Sequence, residues 1–213
     1  MAEDASTTGA RVRNRRGEGG RLREEIVTAA AEMLDETGDP SVITLRSIAR
    51  RVGIAAPSIY RHFPDQSAII LEVLRNAFAE LDEWLRVAMD AAGDTPREQL
   101  LALCQGYLEY ASEHPGRYLI MFGGTWLPNL NETAVTAEDL ATLGQATMRR
   151  LTEALESCVN AGCSTSTDTF ADMVALWIGL HGLAHQRLST QAFPWPPDIA
   201  ERIITPLAHL TEE

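Results

Sequence analysis

The sequence predicts an all-α protein built from two helical units. Apolar residues recur at three- and four-residue spacing through nearly every segment, and no alternating strand pattern interrupts them. Thr, Gly and Pro also stand where helices need starts and stops. With 213 residues, 45% of them hydrophobic and 23% charged, the chain is long enough for one or two domains and a sizeable core.

The first helix is expected in RLREEIVTAAAEMLDETG, where Leu22, Ile26, Ala29, Ala30, Met33 and Leu34 fall at helical spacing. Gly38 supplies its stop, and Pro40 follows. A second, short helix is expected in ITLRSIARRVG. Thr44 is a good cap because its hydroxyl can accept a free backbone N–H of the first turn. Ile43 before that cap and Ile48 inside the helix form a candidate hydrophobic staple, and Gly53 ends the helix. The next stretch, IAAPSIYRHF, holds a proline inside a helical pattern. Pro57 falls in the first turn, where a missing N–H loses no intrahelical bond, so it marks a beginning rather than a break. Ala55 stands where a Ser or Thr cap is expected, and Pro64 closes the segment.

A long amphipathic helix is expected over residues 65–91, with Ile70, Leu74, Ala77, Phe78, Leu81, Trp84, Leu85 and Ala88 as its apolar stripe. A helix over 96–113 carries Leu100, Leu103, Cys104, Tyr107 and Leu108, and HPGRYLIMF reads as a short helix. GGTWLPNLNETA reads as a loop. Helices over 136–161 and 167–188 follow, then the rigid connector STQAFPWPP and a last helix over 198–210.

Charge divides the chain. Residues 1–63 hold ten arginines against nine acids, whereas 64–213 hold eight against twenty-one, within a net charge of -12. There is no lysine. The acidic remainder repels nucleic acid, but the first third need not. Within it, RVRNRRGEGGR, which contains Arg15 and Arg16, reads as a solvated tail or as an arm that follows a phosphate backbone.

A helix, a short helix, a tight Gly turn and a second short helix match a helix-turn-helix, whose second helix enters the DNA major groove by its N-terminal end. The small residues Ala55, Ala56, Pro57 and Ser58 let the backbone approach base edges. Tyr60, Arg61 and His62 supply donors for phosphates, and Ile54, Ile59 and Phe63 have the spacing to pack inward.

The stretch TLRSIARRVGIAAPSIYRHFPDQSAIILEV resembles the signature of the tetracycline-repressor (TetR) family of bacterial transcriptional regulators: Thr, then Ile-Ala, Gly, Tyr and a His-Phe pair. The resemblance implies that Thr44, Tyr60 and His62 touch phosphates and that Ala56, Pro57, Ser58 and Arg61 face bases. Two positions depart from it. Many members carry a Ser cap where Ala55 stands, and many carry a Lys where Gln66 stands. Gln66 can still donate to a phosphate, and Arg46, Arg50, Arg51 and the basic arm can restore the charge. EHPGRYLIMF and ALWIGLHGLAHQRL, with Trp177, His181 and Gly182, resemble the C-terminal domain of the Trp-His-Gly type within that family. The implied architecture is a basic arm at 1–20, a three-helix helix-turn-helix DNA-binding domain at 21–65, and an antiparallel helical ligand-binding and dimerisation domain at 66–213.

A homodimer reading double-stranded DNA is expected, because two reading heads related by a two-fold axis cover half-sites about 34–36 Å apart. Gly179 and Gly182 would let a helix approach closely, from a second copy or from the same chain. A small-molecule effector needs apolar and aromatic lining with a few polar groups. The candidates are Trp84, Tyr107, Met121, Phe122, Trp126, Met148, Trp177 and His181, with Trp126 in a loop able to cover an entrance.

No enzyme signature is found. GxSxG, GxxxxGK[ST] and a strand-borne GxGxxG are lacking, and Gly182 stands where a zinc protease would need Glu between His181 and His185. No cofactor or metal is expected. The three cysteines fit reduced thiols of a cytoplasmic protein. No apolar run approaches the about 18 residues that span a bilayer, so no membrane partner is expected. Two further readings suit the same residues: a helical small-molecule-binding protein or enzyme with an incidental helix-turn-helix, and a DNA-binding regulator without a ligand.

Overall fold

The computed structural model describes residues 19–124 and 126–211. Arg15 and Arg16 of the basic arm lie outside them. Ten α-helices follow in order: α1 (Gly19–Thr37), α2 (Leu45–Val52), α3 (Ala56–Ile59), α4 (Gln66–Asp90), α5 (Pro96–Glu113), α6 (Pro115–Phe122), α7 (Ala137–Ala141), α8 (Gln145–Asn160), α9 (Thr169–Ser189) and α10 (Ile199–Leu207). A 3₁₀ turn, Pro40–Val42, sits between α1 and α2. Among the described residues there is no strand, only an isolated bridge between Ser164 and Leu210. No helix among them is long and apolar enough to cross a membrane.

The helix ends follow from the capping chemistry. Thr44 Oγ1 accepts from the Ser47 N–H at 3.0 Å, and Ser47 Oγ accepts from the Thr44 N–H at 2.8 Å, a reciprocal box at the start of α2. Ile43 and Ile48 beside it are fully buried. Gly53 ends α2 in the left-handed region, φ 73°, where a side chain would be strained. Ala55 offers α3 no side-chain cap.

Three helices expected from the sequence end differently. The helix opening at Pro57 keeps α geometry only through Ile59. The His62 N–H then bonds Ile59 O at 2.8 Å, a three-residue step that tightens the chain into turns before Pro64. The helix expected over 136–161 is two, α7 and α8, because Gly144 adopts φ 73° between them. A Cβ on Gly144 would lie 2.9 Å from the Phe78 ring, so the break is also a close approach to α4. The last helix stops at Leu207, one residue after Pro206, and His209 turns to φ 49°.

Two apolar cores result. In the head, Ile26 and Leu34 of α1, Ile43, Ile48, Ile59 and Phe63 close over Ile69, Ile70, Val73 and Leu74 of α4. In the body, Leu81 and Leu85 of the same helix meet α5, α8, α9 and α10. Helix α4 therefore runs through both cores.

Candidate nucleic-acid interface and effector site

The head presents exposed polar side chains on α2 and around α3. Thr44, Arg46 and Arg50 are exposed on and before α2. Ala55, Pro57, Tyr60 and Arg61 are exposed around α3, Tyr60 to 61%, while Ala56, Ser58 and His62 are half-buried. Beneath them Ile59 and Phe63 are 0% and 1% exposed, and Ile54 is half-buried, so the apolar side of the segment is an anchor and the other side is free. The guanidinium groups of Arg46, Arg50 and Arg61 meet no carboxylate among the described residues.

Two residues expected to contribute charge or donors are already engaged. Arg51 turns back to α1, donating to Glu36 Oε2 at 3.2 Å and to Glu32 Oε2 at 3.3 Å. Its hydrogen bond holds the Glu36 carboxyl below its ordinary range. Gln66 Nε2 donates to Pro40 O at 3.3 Å, tying the start of α4 to the 3₁₀ turn and leaving one amide N–H for another partner.

Asp65, just before α4, accepts from the Ala68 N–H at 2.8 Å, the Ala134 N–H at 2.8 Å and Thr133 Oγ1 at 2.9 Å. Burial pushes its carboxyl up, but those hydrogen bonds outweigh it and hold the group below the usual carboxylate range.

In the body, four of the eight effector candidates come together. Tyr107, Phe122, Trp177 and His181 meet around Tyr118, which the sequence reading did not single out. Tyr118 Oη lies 2.7 Å from His181 Nδ1, and Tyr107 Oη lies 3.3 Å from the same nitrogen. Tyr118 Oη also donates to the His181 carbonyl at 3.2 Å. Trp177 stacks on the imidazole at 5.6 Å between centroids, and Phe122 meets it edge-on at 5.2 Å. Burial, with His185 nearby, pushes the His181 pKa down, and burial pushes Tyr118 up to about 12. The signal for Tyr118 was its spacing: it stands one helical turn before Phe122, on the same face of α6.

The other four lie elsewhere. Met121 touches both cores, Met148 packs on the body core, and Trp126 packs on the head core. Trp84 lies against Tyr110 and His114 and floors a surface groove of about 420 Å³ with Val87 and Ala88, rimmed by Glu80, Glu83 and Glu109. A smaller cavity of about 190 Å³ opens between α1, α4 and α6, with Asn76, Arg117 and Ile120 in its wall.

The glycines of α9 divide. A Cβ on Gly179 would lie 2.7 Å from Leu207 of α10, so this glycine accommodates a helix of the same chain. Gly182 is exposed and has open space above it.

Comparison with known proteins matches two family models to the chain. The profile described as bacterial regulatory proteins of the tetR family matches residues 26–73, and the one described as tetracyclin repressor-like, C-terminal domain, matches residues 100–210. The nucleoid occlusion factor SlmA of Vibrio vulnificus is 32% identical over 101 residues, 47% of this chain and 51% of that protein. The HTH-type transcriptional regulator BetI of Stenotrophomonas maltophilia is 26% identical over 129 residues, 61% of this chain and 62% of that protein. The chain thus spans about half the length of the SlmA relatives it matches. A solved structure, a protein of unknown function from Rhodococcus sp. RHA1, shares the fold with TM-score 0.73, covering 92% of this chain and 95% of its own at 21% identity. With its two profiles covering both head and body, the chain belongs to the TetR family of bacterial DNA-binding transcriptional regulators.

Proposed function

We propose that the protein is a homodimeric repressor that reads a two-fold symmetric operator and is released by a small, largely hydrophobic effector. Residues 21–65 carry the reading and 66–213 the sensing and dimerisation. The observation that carries the reading is the head's set of exposed polar side chains: Arg46, Arg50, Tyr60 and Arg61 are exposed over a buried Ile59–Phe63 anchor, with no carboxylate on the arginines among the described residues. Ala55, Ala56, Pro57 and Ser58 keep the leading end small, so Arg61 meets a base edge while Thr44, Tyr60, His62 and the free amide hydrogen of Gln66 meet phosphates.

Dimerisation is assigned to the outward face of α9, where Phe170 and Ile178 are 68% and 57% exposed and Gly182 permits close approach. The effector is assigned to the Tyr107–Tyr118–Phe122–Trp177–His181 cluster. A ligand that parts these rings displaces α6, and Arg117 on α6 is paired with Asp35 of α1 at 3.3 Å and with Glu80 of α4. That path reaches the head, provided the ligand favours one of the two arrangements.

The test is selection of sites from a random duplex pool at about 0.15 M salt, which suppresses non-specific binding. A two-fold symmetric sequence is expected, with preference at one base position of each half-site relaxed by Arg61→Ala. A non-symmetric consensus, or an unchanged preference in that variant, would contradict the reading.

A further inference from the structure

We infer that residues 133–139, which lead into and open α7, are a positioning element for the DNA-reading segment. The inference rests on the DNA-reading role proposed above.

The reading segment has little regular structure of its own. Helix α3 spans four residues, has no side-chain cap, and passes into tight turns that end at Pro64. Its aim therefore depends on what holds Phe63 and Asp65 on either side of that proline. Phe63 is seated in the head core, and both residues are also linked to the same distant stretch of chain.

At Asp65 the two carboxylate oxygens are divided. Oδ1 accepts from Ala68 of its own helix, while Oδ2 accepts from Thr133 Oγ1 at 2.9 Å and the Ala134 N–H at 2.8 Å. Thr133 Oγ1 is itself oriented by the Val135 N–H at 3.2 Å, and Val135 is buried, 3% exposed. The clasp is thus seated rather than laid on the surface.

Beyond its core packing, Phe63 is linked to a chain of charges. The Arg23 guanidinium lies 4.6 Å over the Phe63 ring and donates to Glu72 at 3.0 Å. Arg75 donates to the other oxygen of Glu72 at 2.8 Å and to Asp139 at 2.5 Å. Asp139 also accepts from the Thr136 N–H and hydroxyl, which fixes it at the start of α7. The Arg23 hydrogen bond is the main cause that keeps the Glu72 carboxyl low, so this link stays charged. Two routes, one of hydrogen bonds and one of alternating charges, therefore join residues 63 and 65 to residues 133–139. Neither runs along α4 alone, and α7 leads directly into α8 of the body. Thr133 and Asp139 act through Asp65 and Arg75.

The test compares Thr133→Val, Thr133→Ser and Asp139→Asn in the full chain. Asp139→Asn keeps an acceptor for Thr136 but removes the charge facing Arg75. In the free protein, amide exchange at His62 and Phe63 is expected to rise on the order of tenfold in Thr133→Val, the scale of losing a hydrogen bond to a charged group. Thr133→Ser should restore it, and amides of α9 should not change. On the selected operator, Thr133→Val and Asp139→Asn should lower the ratio of specific to non-specific affinity, because base reading is misaligned while the side chains that meet phosphates are unchanged. Unchanged exchange at His62 and Phe63 would overturn the positioning role whatever the DNA result. Loss of specific and non-specific affinity in equal measure would overturn it, because a positioning element weakens only the aligned, specific complex. Should the wild-type protein select no site, the DNA reading itself falls, and the exchange data alone then decide whether the clasp holds residues 62–65.

Discussion

Tyr60 with His62 in the head and Tyr118 with His181 in the body are the same two residue types, and the fold treats them in opposite ways. Tyr60 is 61% exposed, and neither it nor His62 has a side-chain hydrogen bond among the described residues. Tyr118 is 1% exposed, and its hydroxyl is 2.7 Å from the imidazole of His181. The arginines divide by the face they stand on: Arg46, Arg50 and Arg61 meet no carboxylate among the described residues, whereas Arg23 and Arg51 of the head and Arg75, Arg86, Arg117 and Arg150 beyond it all do. Polar groups that satisfy one another hold a structure together. Polar groups left to solvent over a rigid anchor are available to a partner, and buried ones without a partner would carry a large penalty.

The comparison breaks most visibly through its anchor. Ile59→Ala removes a fully buried side chain from beneath the reading face and should cost about 2–5 kcal/mol, with loss of DNA binding, in denaturant unfolding paired with an operator assay. Tyr118→Phe should cost about 1–3 kcal/mol, because the imidazole of His181 loses its nearer hydroxyl partner, yet leave operator affinity of the folded protein unchanged. Thr44→Ala should cost about 0.5–2 kcal/mol by removing the α2 cap, and Ala55→Ser should return a similar amount by giving α3 the cap it lacks, both read by thermal melting.

The smallest expected effect is a pH dependence in the body. Burial lowers the folded-state pKa of His181 below its ordinary 6.5. As pH falls, the unfolded chain takes up the proton first. The stability associated with neutral His181 is therefore complete above pH 6.5 and declines as pH drops through that value towards the lower folded pKa. Melting temperature should fall on acidification through this range, and His181→Gln should flatten that part of the curve.

The helices of the head were legible because their punctuation is local. Thr44 caps, Gly53 stops and Pro57 starts by chemistry confined to one turn, and Ile59 and Phe63 announce the buried side by spacing alone. Gly144 gives no local sign of a break, because a lone glycine within a helical pattern is tolerated in principle. Its left-handed φ follows from packing on Phe78, 66 residues earlier in the chain, which no local pattern encodes. Arg51 read as a spare charge, and only the tertiary fold brings Glu32 and Glu36 of α1 to it. The effector candidates scattered for a related reason. Aromatic identity reports size, not direction, so Trp126 went to the head core and Trp84 to a surface groove, while Tyr118 joined the imidazole unannounced.

The most direct test of the account is the operator affinity of the Tyr60→Phe/His62→Ala double variant, with melting temperature taken on the same sample. The account predicts weaker binding to specific and non-specific duplexes alike, with stability within about 1 kcal/mol of wild type, because Tyr60 is exposed, His62 is half-buried and neither side chain has a hydrogen bond among the described residues. A large loss of stability with unchanged DNA affinity would contradict it, because those side chains would then serve the fold as Tyr118 and His181 do.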